Sequence, residues 1–595
     1  MSTSSIRIGG ASGFWGETAL STPQLISGGN LDFIVYDYLA EITLSIMARA
    51  RAADDQAGYA TDFVSTVLAN NLRDIAKRGI RVISNAGGVN PQAAASATRQ
   101  VIDQLGLSLT VAVVTGDDLM DQIDSFSDVN EMFTGDIFPP AERIASINAY
   151  LGAFPIALAL DQGADIVITG RCVDSAVTLG ACIHHFGWRS DDFDRLAAGS
   201  IAGHLLECGP QATGGNFTDW LAIADSMHDI GYPIAEVAAD GTFTISKPPD
   251  TGGVVSIGTV AEQLLYEVGD PQSYALPDVV CDFSAARIEA IDRDVVAVSG
   301  IRGRPPTDQY KVSAIYMDGY RAGQTLLFYG EAADEKARLF ADGVLRRVRA
   351  LLADHGLQDY DDVLVELTGN EHHYGDFRAV NGAREVQLKI AARHASKAAV
   401  GMLLRETIGA ALGGPPGLTG FAGTRPRPSP VMRLFSFLID KTAVDITVSI
   451  GDETRGVSPE EFTPIIAPPI SPPSPPEDDT HTTTVPLIDL AWARSGDKGD
   501  KANIGVIARL PEYLPYIWQA LQPEVVADRF AHFTSQPVDR YFLPGIAAVN
   551  FVLHDVLGGG GVASLRNDPQ GKGYAQLLLA TPIEIPLQMA RELSA

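Results

Sequence analysis

The sequence predicts an α/β protein: a large N-terminal part on a mostly parallel, helix-covered sheet, followed by a small α+β part. Three observations predict it. Over the first ~190 residues, short apolar runs alternate with longer segments of helical spacing, which implies parallel strands joined by covering helices. A proline run, Pro464 to Pro476, then breaks the chain. Beyond it, strand-like and helical segments resume over about a small-domain length.

The apolar runs Ile6–Gly10, Asp32–Asp37, Arg81–Asn85, Leu109–Thr115 and Asp165–Thr169 read as buried strands, and Thr61–Lys77, Pro91–Leu105 and Ala141–Gln162 as helices. A β/α barrel gives the same local alternation. In either arrangement ligands bind where strands end, in the loops leading to the next helix. From Ile201 to Ala467 the pattern is less regular. Strand-like runs at Val312–Met317 and Arg433–Leu438 sit among helices expected at Glu262–Glu267, Glu335–Ala353 and Arg393–Ala411. Proline fixes φ and lacks the amide donor, so 463–484 reads as a semi-rigid spacer. The expected units are 1–462, with lobes 1–200 and 201–462, and 485–595. Within the last, Val485–Trp492, Asn503–Arg509, Arg540–Leu543 and Tyr574–Leu579 read as extended, Glu512–Phe530 and Ala547–Val556 as helical.

The 595 residues exceed what one core holds, since single cores stop growing near ~250–300 residues. With 46 % hydrophobic and 20 % charged residues the chain is globular in composition. Its net charge of −29 repels phosphate backbones and anionic membranes, so neither nucleic acid nor membrane is an expected partner. The start shows no signal peptide and no apolar run reaches the ~18–20 residues of a span. The four cysteines, Cys172, Cys182, Cys208 and Cys281, form no C-x-x-C pair and suit a reducing compartment, so a cytoplasmic location is expected; separately, a homo-oligomer is expected.

The candidate site comes from the strand-end rule. Ile6–Glu17 reads I-R-I-G-G-A-S-G-F-W-G-E, a strand feeding a glycine turn. Gly13 and Phe14 would line a ligand pocket there, and a nucleotide on this turn is an alternative. Asp37 and Glu41, at i and i+4 entering a helix, would share a face and supply an acid or base. Asn85 would orient a substrate through its amide, with Asn90 as N-cap of the next helix. Arg171 offers a planar fork for a carboxylate or phosphate; Asp174 would hold it or cap the next helix and is a further candidate to move the proton, while Cys172 reads as a small buried residue. Glu207, Gln211, Thr213 and Asn216 lie in a run dense in glycine and hydrogen-bonding side chains; Glu207 is the best proton carrier in it, because burial tunes carboxylates. The histidine pairs His184-His185 and His372-His373 lack ligand spacing, so no metal is expected.

These runs resemble the acyclic terpene utilisation (AtuA) family: G-F-W-G-E, Y-D-Y-L-A-E, N-A-G-G-V-N-P, G-R-C-V-D-S, H-L-L-E-C-G-P-Q-A-T-G-G-N-F, and A-R-S-G-D-K-G-D-K-A-N-I-G from Ala493 to Gly505. The last matches an AtuA-like C-terminal domain. The resemblance implies breakdown of citronellol- and geraniol-type terpenoids through branched acyl-CoA thioesters, and adds Lys498 as a residue able to reach a CoA phosphate or the neighbouring domain. A lyase or hydratase using carboxylate acid–base chemistry is therefore expected. Its substrate would be a small anion or a CoA thioester, with CoA part of the substrate and no separate cofactor. A nucleotide-dependent enzyme and a non-catalytic subunit docking on acyl-CoA enzymes are the alternatives.

Overall fold

The computed structural model describes residues 5–380, 382–420, 426–476 and 481–593, without the side chains of Glu41, Ile42 and Val562. The alternation at the N-terminus builds β1 (Ser5–Gly10), α1 (Ser21–Gly28), β2 (Phe33–Tyr36), α2 (Glu41–Ala53), α3 (Ala69–Arg78), β3 (Arg81–Ser84), α4 (Pro91–Leu105), β4 (Val111–Thr115), β5 (Ile144–Ala149), α5 (Phe154–Asp161), β6 (Ile166–Thr169), α6 (Ala176–Phe186) and α7 (Phe193–Leu206). Alternate residues of each strand serve opposite faces. Phe33 and Val35 enter the core under α5 to α7, while Ile34 and Tyr36 enter the one under α1, α3 and α4. Two buried faces explain why the strands read as continuous apolar runs.

The sheet is mixed rather than mostly parallel. Its middle, in the order β1-β2-β3-β6-β4, is parallel; antiparallel strands extend both sides to eleven in all. On one flank lie Ile234–Ala238, Phe243–Ser246, Val295–Ser299 and Arg287–Asp292, on the other Ile446–Ile450 and Glu453–Val457. It is an open sheet, so the barrel alternative falls. A second sheet is organised by the long strand Gln309–Tyr329, which pairs with Glu385–His394, Ser429–Asp440 and β5. Helices Ala333–Asp354 and Lys397–Gly409 pack against it.

Four local expectations are corrected. Ala141–Gln162 is not one helix: β5 pairs with Gln309–Tyr329 before the chain turns into α5. Ala547–Val556 contains the strand Ala548–Leu553, buried at every position, so its sequence carries no alternation to reveal it. Tyr574–Leu579 is helical, and the last strand is Pro582–Pro586. Val485–Trp492 is split by the helical turn Leu487–Leu490 between Thr482–Pro486 and Ala491–Lys498.

The C-terminal part is a four-stranded antiparallel sheet in the order Ala491–Lys498, Lys501–Ala508, Ala548–Leu553, Val538–Leu543, with its own apolar core. The proline run carries no regular structure over 464–476 and lies against the large part: Arg304 donates to the Ile465 carbonyl at 2.8 Å and Gln272 to the Pro468 carbonyl at 3.1 Å. The acidic stretch 477–480 falls outside the described residues.

Candidate active site

The register of the parallel strands sets the site. Tyr36 pairs with Ser84 and Ser84 with Ile168, so Asp37, Asn85 and Thr169 come off the sheet at one level. Asn85, fully buried, donates its amide to the Asp37 carboxylate at 2.5 Å and accepts the Tyr38 amide at 2.8 Å. Ser12, after β1, donates to the Asp37 carbonyl at 3.1 Å. Gly13 packs so closely that a Cβ there would stand 3.0 Å from the Cys208 backbone and the Glu207 carbonyl. The loops after β1, β2, β3 and β6 and the end of α7 thus meet at one rim.

Arginine and acids fill that rim. The Arg171 guanidinium is buried, stacked at 4.1 Å on the Tyr150 ring, and donates to Asp174 at 2.5 Å and to the Cys172 carbonyl at 2.8 Å. Its own amide donates to Asp117 at 2.7 Å, and Asn148 holds the same Asp117 oxygen at 3.0 Å. Burial pushes the Asp117 carboxyl up to about 7. Burial, with the Asp174 charge adding to it, holds Asp37 well above the ordinary carboxylate range, against the opposing pull of Arg171 and Asn85. Glu207 is also raised by burial and lies 2.9 Å from His204 Nδ1. The Cys172 thiol is pushed up to about 12, which makes it inert packing.

The second part of the chain closes the site. Residues 211–219 are its seat: Arg494 donates to the Gln211 side chain and, at 3.1 Å, to the Asn216 carbonyl. The Thr218 hydroxyl donates to the Ala493 carbonyl at 3.1 Å, and Asp219 is gripped by Arg509 at 2.6 and 2.7 Å and by Trp492 at 2.7 Å. Asn503 and Asn550 donate to backbone carbonyls of Leu265, Val268 and Gly269. This docking carries the hairpin Ala491–Lys498/Lys501–Ala508 to the rim. Lys498, exposed at its tip, acts electrostatically on Glu207, His204 and Tyr274.

The structure therefore brings together Gly13, Asp37, Asn85, Arg171, Asp174, Glu207 and Lys498. Phe14 is 56 % exposed at the edge of the same loop. Three expected pocket residues are placed otherwise. Gln211 and Asn216 hold the C-terminal part, and Thr213, fully buried, donates to the Pro210 and Gly231 carbonyls. Asp37 and Glu41 do not share a helix face, because α2 begins at Glu41; the Glu41 side chain lies outside the described residues. The glycine turn is no phosphate cradle: α1 starts only at Ser21, and the Gly13 amide donates to Glu17 at 2.7 Å. Asn90 caps α4, accepting the Ala93 amide at 3.3 Å. Sequence reading missed Asp117, His204, Tyr150 and Tyr274. Asp117 was within reach, since it follows β4 at the same sheet edge; the others needed tertiary contacts.

A mixed α/β chain with a buried carboxylate–arginine rim, capped by a small α+β domain, defines a two-domain protein whose site is shared between its parts. The sequence model described as acyclic terpene utilisation family protein AtuA matches residues 6–450, and that of the AtuA ferredoxin-like domain matches residues 485–584. The chain belongs to the AtuA family, implicated in acyclic terpene utilisation, and its small C-terminal domain is ferredoxin-like. No curated protein and no solved structure matches it. Among the described residues, no helix is long and apolar enough to cross a membrane.

Proposed function

We propose that the chain is an acid–base enzyme of acyclic terpenoid breakdown, a lyase or hydratase acting on a branched, unsaturated acyl-CoA or a related acid. The observation that carries this reading is the pair of carboxyls, Asp37 buried and Glu207 with its side chain 10 % exposed, both raised above their ordinary range beside a buried guanidinium. A carboxyl held above its ordinary range keeps its proton to higher pH than an exposed one and can give it to carbon, and a Glu–His pair can take one from water or hydroxyl.

In the hydration direction, Glu207 takes a proton from water as its oxygen bonds to the β-carbon. The displaced π electrons move toward the carbonyl, and Asp37 delivers its proton to the α-carbon. Elimination runs the same steps backwards. Arg171, fixed by Asp174 and Tyr150, would orient the carbonyl or carboxylate, and its fixed charge needs no reorganisation as negative charge develops. Lys498 would draw the anionic substrate to the mouth.

Turnover of a panel of branched enoyl-CoA thioesters, followed by loss of the conjugated thioester absorbance, tests the reading. Glu207→Gln and Arg171→Lys should each cost orders of magnitude while leaving the circular dichroism unchanged; full activity in both removes this site. In a thermal-shift panel only CoA thioesters should stabilise the protein. A rise with NAD or ATP alone would favour the nucleotide-dependent alternative.

A further inference from the structure

Away from the strand-end rim, a cavity of about 440 Å³ opens along α5. That volume lies in the range of small-molecule sites. Its walls are polar and apolar in nearly equal measure, the apolar part being Phe154 and Leu158 from α5, Trp188 beyond α6, and Phe462 from the irregular segment after the last strand of the large sheet. That segment is pinned across the opening: Ser190 donates to Glu460 at 2.5 Å, and the Phe193 and Phe462 rings meet edge to face at 5.3 Å.

The charged groups lining the cavity are unequally engaged. Asp161 is bound by His184 at 2.5 Å, and His184 in turn contacts Arg81 at 2.6 Å. Asp278 accepts the Ala153 amide at 2.7 Å, capping the start of α5, and sits where any side chain on Gly152 would collide with it. Glu460 is taken by Ser190. Lys441 differs. It is 5 % exposed, and its ammonium donates to the Pro277 carbonyl at 2.6 Å and stands 5.5 Å from the Tyr310 ring centroid. An ammonium has three donors, and among the described residues this one has a single hydrogen-bond acceptor and no ion pair, while the Asp278 and Asp308 carboxylates attract it from farther off. A buried cation with donors to spare, beside the apolar stretch of a mixed cavity wall, is complementary to an anion with an apolar body.

We propose that this cavity is a second ligand site, which takes a medium-length aliphatic monocarboxylate with its carboxylate on Lys441 and its chain along Phe154, Leu158 and Trp188. The proposal does not rest on the strand-end site. Isothermal titration of the full chain with decanoate, 3,7-dimethyloctanoate and decanol tests it. Both carboxylates should bind saturably, and decanol at least tenfold more weakly than decanoate. Lys441→Met should weaken both carboxylates at least tenfold and leave decanol unchanged, whereas Lys441→Arg should retain them. Leu158→Trp should abolish all binding by filling the cavity. The proposal fails if the wild-type chain shows no saturable binding, if decanol matches decanoate, or if Lys441→Met or Leu158→Trp binds decanoate as the wild type does.

Discussion

Asn85 bridges two neighbouring strand ends by giving its amide N–H to the Asp37 carboxylate at 2.5 Å and taking the Tyr38 amide on its oxygen. The bridge is buried, so neither partner can turn to water instead. Asn85→Ala should cost about 1–3 kcal/mol in denaturant unfolding, the penalty for buried polar groups left unpaired. It should also lower turnover more than it raises KM, because Asp37 loses its orientation. Asn85→Asp would set a second carboxylate against Asp37 and should lower activity further at pH 8 than at pH 6.

The raised carboxyl of Asp117 makes a pH prediction. Its folded pKa of about 7 lies above the ordinary 3.8, so the folded chain keeps a proton that the unfolded chain has lost across that interval. The stability it contributes is complete below about pH 4 and is lost as pH rises toward 7, at roughly 1.4 kcal/mol per pH unit. Asp117→Asn should remove this component. The stability difference between variant and wild type, from urea titrations at pH 5 and pH 7, should then grow in the variant's favour with pH.

Arg494 joins the two domains through Gln211 and Asn216, and it is largely buried. Arg494→Ala leaves both acceptors without their charged donor and should cost roughly 1.5–3 kcal/mol of docking. Limited proteolysis should then cut faster within 464–476, and activity should fall although no strand-end residue has changed. Arg494→Lys keeps the charge but loses the planar fork, so it should be intermediate.

Lys498 is exposed at the hairpin tip and acts electrostatically on Glu207 and His204. Lys498→Ala should leave the melting temperature essentially unchanged. It should raise KM for an anionic substrate by roughly tenfold at low salt, and this gap should narrow as salt screens the field.

The parallel middle of the sheet was legible in the sequence because Ile6–Gly10, Arg81–Ser84 and Ile166–Thr169 are apolar runs closed by polar strand ends. That same rule picked out Asp37, Asn85 and Arg171. What escaped was decided by partners distant in sequence. The run at Ile144–Ala149 lies in a stretch of helical spacing but is captured as a strand by Gln309–Tyr329. Gln211 and Asn216 have the chemistry of pocket residues, yet their partner Arg494 stands almost three hundred positions away. The charge-dense loop around Lys498 carries no sequence signal of its partners, because the docking of its domain is what brings it to the rim.

In the proposed reaction Asp37 and Glu207 move protons at one rim that the C-terminal domain completes. Solvent deuterium incorporation at the α-carbon of a branched acyl-CoA thioester, read by mass spectrometry, reports that proton transfer whether or not the overall reaction is complete. The wild-type chain should incorporate deuterium, Asp37→Asn and Glu207→Gln should lose it by orders of magnitude, and Arg494→Ala should slow it. Incorporation that survives in both carboxyl variants, or none in the wild type across the thioester panel, would contradict the account.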